Sequence, residues 1–181
     1  MCPRPPVEKL ASAGINFLAI DFDLTLVDIH TEGRWLKPAS ELATHVRPYM
    51  HSLIIEAFSH GMHLAIVTFS PQVDTISKVL EILFPKFSEQ IVIRGGDNTW
   101  QYEGMGPRDG KQSHMASAVE ELTHRTSAQI SRSSTLLIDD DSLNVDVALR
   151  HGVNAVMCSP EDPETIHRGI MAAWSTTPAN H

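Results

Sequence analysis

Five short aliphatic or β-branched runs recur along the 181-residue chain, at 15–20, 64–68, 90–93, 135–138 and 153–157, with helical stretches between them. That alternation constrains the fold more than any other feature. Two strands joined through a helix cannot close as a hairpin; they pair in parallel through a right-handed crossover. Repeated along the chain, the unit builds a parallel sheet covered by helices on both faces. The expected fold is α/β: a doubly wound, Rossmann-like, three-layer arrangement with a central parallel sheet of about five strands.

The helical stretches carry their own punctuation. Pro48 opens one whose apolar face is Leu53, Ile54, Ala57 and Phe58, and Gly61 stops it. Ser70 and Pro71 read as N-cap and first turn of the next, with Val73, Ile76, Val79, Leu80 and Leu83 on one side. Met115, Ala118, Val119 and Leu122 mark a third, "DSLNVDVALRHG" a short fourth closed by Gly152, and Asp162-Pro163 the start of a last one reaching Trp174. A brief helix fits 41–46. The reading divides the chain into an N-terminal extension (1–14), one domain (15–174) and a frayed tail (175–181).

A net charge of -8 without any Lys/Arg run argues against a nucleic-acid binder. The apolar runs are too short to span a bilayer. Cys2 and Cys158 lie at opposite ends and form neither a disulfide framework nor a zinc spacing. With no secretory pattern at the N-terminus, a cytoplasmic setting is expected.

In doubly wound sheets, ligands bind beyond the carboxyl ends of the strands. The residues at those ends are chemically unusual. The first run stops at Asp21, with Asp23 and Thr25 close behind; the second ends at Thr68, followed by Ser70; the fourth runs into Asp139, Asp140 and Asp141, with Asn144 beyond. Lys111 begins the third clear helix, with Arg108 a rival cation just upstream. Carboxylates are costly to desolvate without compensation. Two or three of them make an all-oxygen site suited to Mg²⁺. One can then serve as nucleophile and a second as general acid and base, while hydroxyl and ammonium groups hold phosphoryl oxygens. The pattern points to phosphoryl transfer. A turn or a helix cap would also use such acids, and Asp141 suits a capping role.

"DFDLT" at 21–25, Thr68 after an apolar strand, Lys111 and "DDDSLN" at 139–144 together resemble, in order, the four motifs of the haloacid dehalogenase (HAD) superfamily of phosphohydrolases. "GKQSH" followed by "LLIDDDSLNVDV" is similar to its magnesium-dependent phosphatase-1 branch. The resemblance implies Asp21 as nucleophile and Mg²⁺ ligand. It implies Asp23 as general acid and base that lends the metal its backbone carbonyl, and Asp140 as direct ligand. Thr68 and Lys111 would bind phosphate, with Thr25, Ser70, Asp139 and Asn144 in support. His114 matches the branch's Lys-x-x-His spacing.

Many superfamily members carry an inserted cap domain. Neither 26–47 nor 94–110 has room for one, which would need at least about 50 residues. The resemblance is to the capless type, and Trp35 and Trp100 fall in the loops nearest the site. An open site suits a phosphoprotein, or a small phosphate ester enclosed by a second copy of the chain. The expected activity is hydrolysis of a phosphomonoester, phosphotyrosine or sugar phosphate. An inert scaffold of the same fold, or transfer to an acceptor other than water, are the alternatives.

Overall fold

The computed structural model describes residues 3–162 and 164–174. The chain begins with helix α1 (Val7–Ser12) and enters the sheet at β1 (Phe17–Ile20). A wide turn, α2 (Ala39–Ala43) and α3 (Pro48–Ser59) lead to β2 (His63–Val67). Then follow α4 (Val73–Leu83), β3 (Val92–Arg94), α5 (Gln112–Thr126), β4 (Thr135–Asp139), α6 (Ser142–Arg150), β5 (Asn154–Met157) and α7 (Glu164–Ala173).

All five strands are parallel, in the order β3-β2-β1-β4-β5. The chain winds outward from β1 to β3, returns across the sheet, and winds the other way through β4 and β5. The reversal places a switch point between β1 and β4, where such sheets open a crevice. Alternation along the strands sorts the core into two layers. Leu18 and Ile20 face α1, α3, α4 and α7 through Leu10, Leu53, Ile76 and Ile170. Phe17 and Ala19 face α5 and α6 through Met115, Leu122 and Ala148. The three-layer α/β expectation is the architecture observed.

Details differ from the sequence reading in places. Segment 1–14, read as an extension, contributes α1, whose Val7 and Leu10 enter the core one turn apart. Helix α4 starts at Val73 with Gln72 as its flanking residue, two positions later than a Ser70 cap implies. Ser70 is held instead to neighbouring strand ends: its N–H donates to Thr68 Oγ1 (3.1 Å), and its carbonyl accepts from Gly96 N–H (2.9 Å). Those bonds tie the segment across the sheet edge before it can wind. The short helix after β1 lies at Ala39–Ala43 rather than 41–46. The last helix lies at Glu164–Ala173. Pro163 and the tail 175–181 fall outside the described residues.

Candidate functional site

Register alone brings the acids together. Ile20 pairs with Ile138, so Asp21 and Asp139 stand side by side where adjacent parallel strands end. Asp21 N–H continues the ladder to Ile138 O (2.9 Å). Asp140 follows Asp139, and Thr25 Oγ1 donates to its Oδ1 at 3.3 Å. Oxygens of Asp21, Asp139 and Asp140 lie within 4.8 Å of one another.

Thr25 reaches Asp140 because the chain turns sharply after β1. Asp21 O accepts from Leu26 N–H and Phe22 O from Val27 N–H, five residues apart, around Leu24 at φ 59°. A branched side chain held in the left-handed region is strained. Arg47 secures it, its guanidinium donating to Leu24 O at 3.0 Å.

Lys111 lies at the N-terminal end of α5 and is buried to 1% exposure. Its Nζ donates to Asp21 Oδ1 (2.6 Å) and to Val67 O (2.7 Å), and lies 3.5 Å from Asp139 Oδ2. Arg108, the rival cation, turns away to the carbonyls of Tyr102 and Gly104 and the face of Tyr102.

One ammonium thus pairs with Asp21 and Asp139 in a group of three carboxylates. Asp21 is pushed up to about 7, chiefly by burial and further by Asp139 and Asp140, against the opposing pull of Lys111. Asp140 is raised as well, first by burial and then by Asp139. The site is short of positive charge. Its donors are all oxygens, the chemistry of a hard divalent-cation site.

The remaining side chains close the site. Asn144 Nδ2 donates to both oxygens of Asp139 at 3.2 Å, and Asp141 N–H bonds Asp139 Oδ1 at 2.9 Å. Asp141 itself caps α6, accepting from Leu143 N–H at 2.8 Å. Thr68, 3% exposed, follows β2. The buried Ser70 hydroxyl has no hydrogen-bond partner among the described residues. Asp21, Asp23, Thr68, Phe69, Ser70, Lys111 and Asp139 through Asp141 line a cavity of about 350 Å³.

Asp23 contributes no side-chain oxygen to the acidic group. Its carboxylate is held by Thr31 Oγ1 (2.8 and 3.0 Å), which accepts in turn from Gln72 Nε2. Neither Thr31 nor Gln72 stands out in the sequence, because each lies in a loop without the periodicity that would mark it. Asp139, expected only in support, belongs to the acidic group itself. Trp35 packs against the core, and Trp100 bonds Gly95 O at 2.8 Å. Neither lines the cavity. His114 packs edge-on against both Phe69 and Trp100. Phe69, 55% exposed at the rim, is a further residue of the cavity, and a lone aromatic after a strand carries no signal in the sequence to mark it.

The fold and site define an α/β chain with an acidic, oxygen-donor cavity at the switch point of a parallel sheet. No family model and no curated protein matches the sequence. A crystal structure of a hypothetical protein from Xanthomonas campestris is similar, with a TM-score of 0.52 and 18% identity over 92% of this chain and 75% of that one. The likeness is one of fold. Among the described residues no helix is long and apolar enough to cross a membrane.

Proposed function

We propose that this chain is a Mg²⁺-dependent phosphomonoester hydrolase of the HAD type, working through a phosphoryl group carried on Asp21. The observation that carries the reading is the grouping of Asp21, Asp139 and Asp140, with one buried ammonium against Asp21 and Asp139 and hydroxyl donors on the adjoining strand end. Three grouped carboxylates with a single ammonium beside two of them fit a bound divalent cation. Asp21 and Asp140 would hold it, joined by Asp139 and by the backbone carbonyl of Asp23. A cation there supplies neutralising charge, so that an anionic ester can approach the acids.

The chain's own groups then divide the work. A carboxylate oxygen of Asp21 attacks phosphorus as the ester P–O bond breaks, forming an aspartyl-phosphate. Lys111 fixes Asp21 through Oδ1. The Thr68 hydroxyl accepts from Ser70 N–H, which leaves its proton for a phosphoryl oxygen. The unpartnered Ser70 hydroxyl is a second donor of that kind. The Asp23 carboxyl delivers its proton to the departing alcohol. It then takes one from the water that attacks phosphorus and frees Asp21. With no inserted domain over the strand ends, the cavity admits a phosphate carried on a protein as well as a sugar phosphate.

Hydrolysis of para-nitrophenyl phosphate, with Mg²⁺ and with EDTA, tests the reading. Wild type turns over only with the metal, and Asp21→Asn loses turnover by at least about 10³-fold. Metal-independent turnover, or a fully active Asp21→Asn, contradicts it.

A further inference from the structure

The loop at 28–38 is tied to the entrance of α4 by a directional chain of hydrogen bonds. Trp35 N–H donates to Gln72 Oε1 at 2.9 Å. That bond fixes which end of the amide is which, so the Gln72 NH₂ group faces Thr31 and donates to its Oγ1. A hydroxyl has one proton. With its oxygen accepting from Gln72, Thr31 has that proton for Asp23, whose two oxygens lie 2.8 and 3.0 Å away. Thr31 is 5% exposed, and the loop is further pinned where Gly33 packs on Pro71. The nearby His30 Nδ1, 4.0 Å from Asp23 Oδ2, is not a competing donor, since it accepts from Glu32 N–H.

We infer that Thr31 and Gln72 are positioning residues that hold the Asp23 carboxyl on the leaving-group side of the cavity, apart from the cation site. The inference rests on the phosphatase reading. In the first half-reaction the Asp21–phosphorus bond forms, the ester P–O bond breaks, and the Asp23 proton passes to the departing oxygen. A carboxyl free to swing would make that transfer slowly. The loop occupies the interval where capped relatives would insert a domain, and it braces the acid from the core instead.

The test uses para-substituted aryl phosphates of similar size, from 4-nitro to 4-methoxy, with kcat/KM as readout. This quantity reports the steps up to aspartyl-phosphate formation and is blind to its hydrolysis. A nitrophenolate leaves without much help, whereas a methoxyphenolate needs the proton. Thr31→Val and Gln72→Leu lose about threefold on the nitro ester and about 30-fold or more on the methoxy ester, a fraction of what general acid catalysis contributes. Thr31→Ser restores the wild-type dependence on leaving group. Equal losses across the series indicate a merely structural role and overturn the inference while leaving the phosphatase reading intact. A folded wild type that hydrolyses none of the esters overturns both.

Discussion

His114 shows how much of this site is set residue by residue. Its ring lies 5.2 Å from Phe69 and 4.7 Å from Trp100, and its buried Nδ1 has no hydrogen-bond partner among the described residues. Burial, then Lys111, then Arg94 lower its pKa from 6.5 to about 4. The unfolded chain therefore binds a proton near pH 6.5 that the folded chain refuses until about pH 4. The associated stability is present above pH 6.5 and is lost as pH falls through that window. Urea midpoints measured from pH 7 down to pH 4 fall more steeply for wild type than for His114→Gln; equal slopes contradict the assignment. The sequence gives His114 only a spacing from Lys111. Its packing depends on Phe69 and Trp100, from two other loops, which no local pattern connects to it. Asp21, Asp139 and Asp140 were legible because acids directly after apolar runs are chemically conspicuous. Thr31 and Gln72 were not, because a hydroxyl and an amide in loops are the commonest of surface residues and only the fold brings them to Asp23.

At the scale of elements, the loops after β2 and β3 hold each other. Gly96 N–H donates to Ser70 O (2.9 Å), and a Cβ on Gly96 would stand 2.3 Å from Phe69 O. Only glycine lets the two backbones approach this closely. Gly96→Ala must push the Phe69–Ser70 segment outward, carrying the hydroxyl donors with it. The expected result is about 1–3 kcal/mol of lost stability in urea unfolding, together with a raised KM for para-nitrophenyl phosphate; a variant with wild-type stability and KM refutes this coupling. Periodicity located every strand of the sheet and the principal helices, since each buries a patterned face. That α4 starts at Val73 and not beside Ser70 has a physical reason. Ser70 and Pro71 have the composition of a helix cap, but the Ser70 backbone is already committed to Thr68 and Gly96, a tertiary contact that overrides local preference.

At the scale of the molecule, the topology makes the site. The chain reverses its winding between β3 and β4, so β1 and β4 become neighbours although Ile20 and its partner Ile138 lie 118 positions apart in the sequence. That adjacency puts two acids from distant sequence into one register and leaves the crevice above them open. The alternation of strands and helices foretold this architecture, and the acids that end the strand runs do gather in one cavity at the carboxyl edge. What could not be read was the balance of charge inside it, which depends on Lys111 reaching across from α5 to Asp21 and on the Asn144 amide donating to the Asp139 carboxylate.

The central claim is a covalent phosphoryl group on Asp21, and trapping it is the most direct test. In Asp23→Asn, attack on an ester with a good leaving group proceeds while hydrolysis of the intermediate is slowed. Asp23→Asn incubated with para-nitrophenyl phosphate and Mg²⁺, quenched in acid and mapped by mass spectrometry, should carry one phosphate on Asp21. Nitrophenol release with no phosphorylated aspartate, or with the phosphate on another residue, contradicts the account.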